Sequence, residues 1–121
     1  MFTPTISICI PTYNRSDSLI NCLNSINIAA KDYFGRFEVC VSDNGSDGNT
    51  RSAVEKASQS LEINYHRNKK NLGIPKNFLQ VVSMAKGEFI WLIGDDDLLL
   101  PDAFDRLLPL IENNKEIDFF S

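Results

Sequence analysis

Short apolar segments of two different periods take turns along this chain, and that alternation constrains its fold more than anything else. Ile6, Ile8 and Ile10 alternate with Ser7 and Cys9, the two-residue period of a strand. Leu19, Cys22, Leu23 and Ile26 then share one helical face, with Ser16 or Asp17 as the expected N-cap. Phe37, Val39 and Val41 return to strand spacing, and Val54, Ala57 and Leu61 return to helical spacing. Ile63 to His66 is a short third strand, and Phe78, Val81, Val82 and Ala85 form the next helical face, ended by Gly87. Phe89 to Ile93 is apolar without alternation, which suits a central strand covered on both faces. Pro101 suits a helix start, Phe104, Leu107, Leu108 and Ile111 give the face of that helix, and Pro109 is expected to kink or shorten it. Ile117 to Phe120 begins a fifth strand. Strands alternating with helices predict an α/β fold, a mostly parallel sheet with helices on both faces. The chain has 121 residues, 43% of them apolar, enough for one compact domain spanning 1–121.

In such folds ligands bind beyond the C-terminal ends of the strands. Strand one ends in Pro11-Thr12-Tyr13-Asn14-Arg15, strand two in Ser42-Asp43-Asn44-Gly45-Ser46, and strand four in Gly94-Asp95-Asp96-Asp97. Consecutive carboxylates repel one another and raise each other's pKa. A hard divalent cation with oxygen ligands offsets that, and an acidic set without His or Cys favours Mg²⁺ or Mn²⁺. The competing reading is a solvated turn capping the next helix, flanked by Asp97 and Asp102. Asp43 reads equally as turn chemistry or as a hydrogen-bonding carboxylate, and Tyr13 as a packing ring or one that stacks on a base. Arg67, Lys69, Lys70 and Lys76 form a basic patch that is either a solvated loop or a counter-charge for a diphosphate.

Charge and composition narrow the classes. The net charge of −4 argues against a nucleic-acid partner. No apolar run approaches the ~20 residues of a membrane span, and the N-terminus lacks the basic region of a signal peptide. Cys9 and Cys40 lie in apolar runs and read as buried thiols in a reducing compartment. One histidine, His66, without a nearby Cys pair gives no zinc site.

The segments Ile8–Arg15, Val41–Ser46, Asn71-Leu72-Gly73 and Gly87–Leu92 through Asp95-Asp96-Asp97 and Pro101 together resemble family 2 glycosyltransferases of the GT-A fold. The resemblance implies the N-terminal, donor-binding part of a metal-dependent enzyme. That enzyme would transfer a sugar from a nucleotide-diphosphate sugar, UDP-type favoured, to a saccharide or lipid-linked acceptor with inversion, in cell-envelope or surface polysaccharide synthesis. It also implies a cytoplasmic location, peripheral at the inner face of the membrane. By position, Pro11, Thr12 and Tyr13 would line the nucleoside pocket, with Asn14, Arg15 and Lys76 in the same donor site. Asp43 would accept from the base and Asp95 would contact the ribose or donor. Asp96, with Asp97, would hold Mn²⁺ or Mg²⁺ as a DXD-type motif.

The chain departs from the family pattern in three ways. Gly94 replaces the first acid of the common motif, Phe78-Leu79 occupies the places of a frequent Arg-Asn pair, and family members continue into an acceptor-binding half that carries the general base. Asp102, Asp105, Glu112, Glu116 and Asp118 follow Pro101 without a recognisable base motif, so the isolated chain is expected to lack full activity. Two rival readings are a receiver-type signalling domain, which would need an acidic pair after strand one, and a nucleotide-binding module without catalysis.

Overall fold

The computed structural model describes residues 4–113. Eight elements alternate through them: β1 (Ile6–Thr12), α1 (Ser16–Ala29), β2 (Phe37–Asp43), α2 (Thr50–Ala57), β3 (Ile63–Arg67), α3 (Ile74–Ser83), β4 (Phe89–Leu92) and α4 (Ala103–Asn113). All strand pairs are parallel, and the sheet order is β3-β2-β1-β4. The predicted α/β architecture is what the chain adopts. The fifth strand expected at Ile117–Phe120 lies outside the described residues.

The strand alternation sorts side chains between two layers. Ile6, Ile8, Ile10, Val39 and Val41 pack with Leu19, Leu23 and Ile26 of α1, Val54 of α2, and Phe104, Leu108 and Ile111 of α4. On the opposite face Cys9 and Cys40, register partners on β1 and β2, pack with Val81 of α3. Helices therefore cover both faces. All three cysteines are free thiols and buried.

Four local expectations are corrected in whole or in part. Arg15 occupies the N-cap position of α1, with no side-chain cap, in place of Ser16 or Asp17. On the third helical face Val81 is buried and Val82 and Ala85 pack beside it as expected, but Phe78 is exposed and Asn77 is buried in its stead; α3 starts at Ile74, and its packing is set by the polar loop beneath Asn77. α4 runs through Pro109 without ending there. β4 is an edge strand among the described residues, half-buried along Phe89–Trp91 and exposed at Leu92, because only β1 pairs with it.

Candidate functional site

The pairing of β1 with both β2 and β4 brings three loops together at the C-terminal ends of the strands. The acidic turn follows β4. Asp97 closes it on Gly94: its backbone N–H donates to the Gly94 carbonyl at 3.1 Å, and its Oδ2 accepts the Gly94 N–H at 2.8 Å. A Cβ on Gly94 would stand 3.0 Å from Asp96 Oδ1 and 3.3 Å from Asp97 Oδ2. The glycine thus lets two carboxylates fold back over the turn.

Asp95 points inward and is buried, and its Oδ2 accepts the Thr12 hydroxyl at 2.8 Å. The Arg15 guanidinium stands 3.6 Å from Asp95 and 3.5 Å from the exposed Asp96. Repulsion among the three acids is therefore met by a hydroxyl, a backbone N–H and a guanidinium. Below them lies Cys22 of α1, whose Sγ faces the Gly94 carbonyl at 3.8 Å. Burial, then the charges of Asp97, Asp95 and Asp96, push its pKa up to about 12.

Asp43 ends β2 beside Thr12, its register partner. Its carboxylate is 1% exposed, with Oδ1 accepting the Ser46 N–H at 2.9 Å and Oδ2 the Tyr65 hydroxyl at 2.7 Å. Tyr65 shares the strand phase of Val41, so it rises on the same face of the sheet as Asp43. Burial and the Asp43 bond hold the Tyr65 phenol above its ordinary value. Arg51 lies over the Tyr65 ring, and Arg67 donates to the Ser46 carbonyl.

Asparagines lock the loops together. Asn44 accepts from Asn68 at 3.0 Å and from the Leu72 N–H at 2.9 Å, and donates to Asn71 at 2.9 Å. Asn77 accepts from Ser42 at 2.7 Å and Asn68 at 3.1 Å, and returns a bond to the Ser42 carbonyl. Gly45 adopts φ +81°, and a Cβ there would meet the Lys70 carbonyl carbon at 2.8 Å. The loop after β2 can lie against the Lys70-Asn71 backbone only because position 45 has no side chain. Asn14, itself left-handed at φ 51°, ties the loop after β1 to that after β2 through Ser46 Oγ and the Asp47 N–H.

These contacts leave two hollows. One, of about 300 Å³, is lined by Pro11, Thr12, Tyr13, Arg15, Asn44, Ile74, Asn77 and Asp95. The other, of about 380 Å³, lies on the α2 side against Asp43, Tyr65 and Arg67. The structure thus gathers Pro11, Thr12, Tyr13, Arg15 and Asp95 around one cleft, with Asp96 beside it on Arg15. Asp43 faces the neighbouring hollow, Asn14 braces the loops, and Lys76 is exposed outside both linings. Sequence reasoning missed Tyr65, Asn44 and Ile74; the phase shared by Tyr65, Val41 and Asp43 was the available signal for the first. A larger hollow, about 650 Å³, lies at the opposite strand ends around Phe34 and Phe37 and holds none of these residues.

A comparison with known families decides what this arrangement belongs to. The description "Glycosyl transferase family 2" matches residues 7–120. The chain belongs to glycosyltransferase family 2. Among its relatives, the abequosyltransferase RfbV of Salmonella typhimurium is 40% identical over 114 residues, covering 93% of this chain and 34% of that protein. The chondroitin synthase of Pasteurella multocida is 34% identical over 106 residues, 87% of this chain and 11% of that one. S. aureus TarS 1–349 in complex with UDP-GlcNAc superposes with a TM-score of 0.85 at 27% identity, over 92% of this chain and 32% of that one. The mannosyltransferase PcManGT of Pyrobaculum calidifontis, in complex with GDP-Man and Mn²⁺, shares the fold at a TM-score of 0.78 and 22% identity, over 92% and 33%. The fold is thus GT-A, and this chain spans about a third of the length of the first curated relatives it matches.

Among the described residues no three His, Cys, Asp or Glu side chains converge to hold a metal ion by themselves. Asp95 and Asp96 instead share one cationic partner, Arg15. The Asp96 and Asp97 carboxylates, both folded over Gly94, would offer a hard ion two protein oxygens, with waters and phosphate oxygens in its remaining positions.

Proposed function

We propose that this chain is the donor-binding part of a metal-dependent glycosyltransferase. The enzyme would transfer a sugar from a nucleotide-diphosphate sugar, UDP-type, to a saccharide or lipid-linked acceptor in cell-envelope or surface polysaccharide synthesis. The observation that carries the reading is the convergence of Thr12, Arg15 and Asp95 on one cleft at the joined ends of β1 and β4, with Asp96 beside it on Arg15. Family membership and the UDP-GlcNAc complex of TarS support it.

Tyr13, exposed at the cleft's lip, offers its ring to the base. Asp43 uses two of its roughly four lone-pair sites on Ser46 and Tyr65, which leaves acceptor capacity for a base N–H. Asp95, fixed by Thr12, orients the ribose or donor. Asp96, the exposed acid, would be the principal ligand for Mn²⁺ or Mg²⁺, with Asp97 as the second acid of the motif. The chemistry such an ion would supply when bound is neutralisation of charge on the leaving diphosphate. Arg15, and Lys76 from α3, add fixed positive charge on the same side.

The general base comes from elsewhere in the protein. Asp102 is paired with Arg106 at 2.7 Å, Asp105 accepts the Tyr33 hydroxyl, and Glu112 pairs with Arg36, so none of the three lines the cleft. Glu116 and Asp118 lie outside the described residues. The reaction is an inverting single displacement, on an enzyme working peripherally at the inner face of the membrane. No described helix is long and apolar enough to cross one.

The test is calorimetric titration of the protein in its full natural length with UDP, GDP, CDP and dTDP, with and without Mn²⁺. UDP is expected to bind most tightly and to bind more tightly with Mn²⁺. Absence of nucleotide binding under every condition refutes the reading.

A further inference from the structure

The twenty-five residues from Ile63 to Gly87 contain Arg67, Lys69, Lys70, Lys76 and Lys86 and not one of the chain's sixteen Asp+Glu. An acidic protein has thus segregated a wholly basic segment, and the fold places it in β3, the following loop and α3. Arg67 is spent on the Ser46 carbonyl, but no acid among the described residues pairs with Lys69, Lys70 or Lys76. Interleaved with these lysines are large apolar side chains left in the open. Ile74 is 83% exposed and Leu79 66%, with Leu72 and Phe78 exposed beside them. Against the sheet the helix buries Asn77 and Val81, with Val82 partly buried beside them. Asp96, the exposed acid of the turn after β4, already faces Arg15. Ile74 belongs both to this surface and to the lining of the cleft, so whatever covers α3 borders the donor site.

Lysines around an exposed apolar stripe match an anionic bilayer: ammonium groups meet headgroup charge while the apolar side chains enter the acyl boundary. We propose that Lys69, Lys70, Leu72, Ile74, Lys76, Phe78 and Leu79 form a membrane-docking surface for anionic phospholipid, which lays the mouth of the cleft against the bilayer. The docking deepens the reading of a lipid-linked acceptor and rests on it for its purpose. Its test separates the two.

The protein in its full natural length is sedimented with vesicles of phosphatidylcholine alone and of equal parts phosphatidylcholine and phosphatidylglycerol. UDP titration of the same preparations serves as the control. Binding is expected only to the anionic vesicles, and it should weaken as salt is raised. Each lysine near the surface is worth about fivefold in affinity, so the double substitution Lys69→Gln, Lys70→Gln should weaken binding roughly 25-fold. Leu79→Ser should weaken it roughly tenfold. All variants should bind UDP like wild type and melt within a degree or so of it. Failure to bind anionic vesicles, or binding that neither substitution alters, overturns the proposal. So does a large drop in melting temperature for Leu79→Ser, which would show that other protein covers the face. Lost UDP binding in the wild type would instead count against the donor-site reading.

Discussion

Replacing Tyr65 by phenylalanine removes one oxygen, and with it the hydroxyl that donates to Asp43 Oδ2 at 2.7 Å. The acceptor is a carboxylate 1% exposed, and a hydrogen bond to a charged group contributes about 1.5–3 kcal/mol. Two features favour the lower half of that range. Asp43 keeps the Ser46 N–H on its other oxygen, and the adjoining hollow of about 380 Å³ lets water replace the lost donor. A loss of about 1.5–2 kcal/mol follows. For a cooperative unit of 121 residues, an unfolding entropy of about 2.1 cal/mol/K per residue converts this to a melting temperature lower by about 6–8 °C. The cleaner assay is a double-mutant cycle in urea with Asp43→Ala, where the two substitutions should couple by 1 kcal/mol or more. The phenol's pKa is raised above 10.0 by burial and the Asp43 bond, so this stabilisation is full below pH 10 and lost as pH rises through the raised value. Additive effects, within about 0.5 kcal/mol, would refute the account of Asp43 as a carboxylate held from β3. The same geometry makes Asp43→Ala an impure probe of nucleotide binding, because the loop from Asp43 to Ser46 loses its anchor.

Asp96→Asn should abolish the Mn²⁺ dependence of UDP binding while changing stability by less than about 1 kcal/mol, since its ion pair with Arg15 is solvent-exposed; titrations at several Mn²⁺ concentrations check this, and an unchanged dependence would reduce the turn to a structural one. Gly45→Ala should destabilise the fold by about 2 kcal/mol or more, combining left-handed strain at φ +81° with a 2.8 Å approach to the Lys70 backbone, as read from urea unfolding midpoints. Cys22, with its pKa near 12, should resist thiol reagents at neutral pH until the protein is unfolded. Its unfolded pKa is the ordinary 9.0, so between 9.0 and about 12 the unfolded state binds fewer protons and stability falls with rising pH. Cys22→Ser should flatten that part of the pH–stability curve.

The sequence by itself determined the elements and their kind. Ile6-Ile8-Ile10 and Leu19-Cys22-Leu23-Ile26 carry periods that only a strand and a helix can bury on one side, so the alternation implied a parallel sheet with helices on its faces. It also marked the three polar strand ends, because Pro11–Arg15, Asp43–Ser46 and Gly94–Asp97 interrupt apolar runs where a sheet must stop. Only the tertiary structure decided how those ends use one another. Strand order placed β4 beside β1, and so joined Thr12 to Asp95 across eighty-three positions and set Arg15 between Asp95 and Asp96. Register placed Tyr65 on the face that reaches Asp43, and the polar loop turned α3 so that Asn77 is buried and Phe78 faces outward. Periodicity is a local property, enforced by the sterics of a few residues. Pairing and helix rotation are settled by contacts between segments far apart in sequence, and no window of the chain contains both partners.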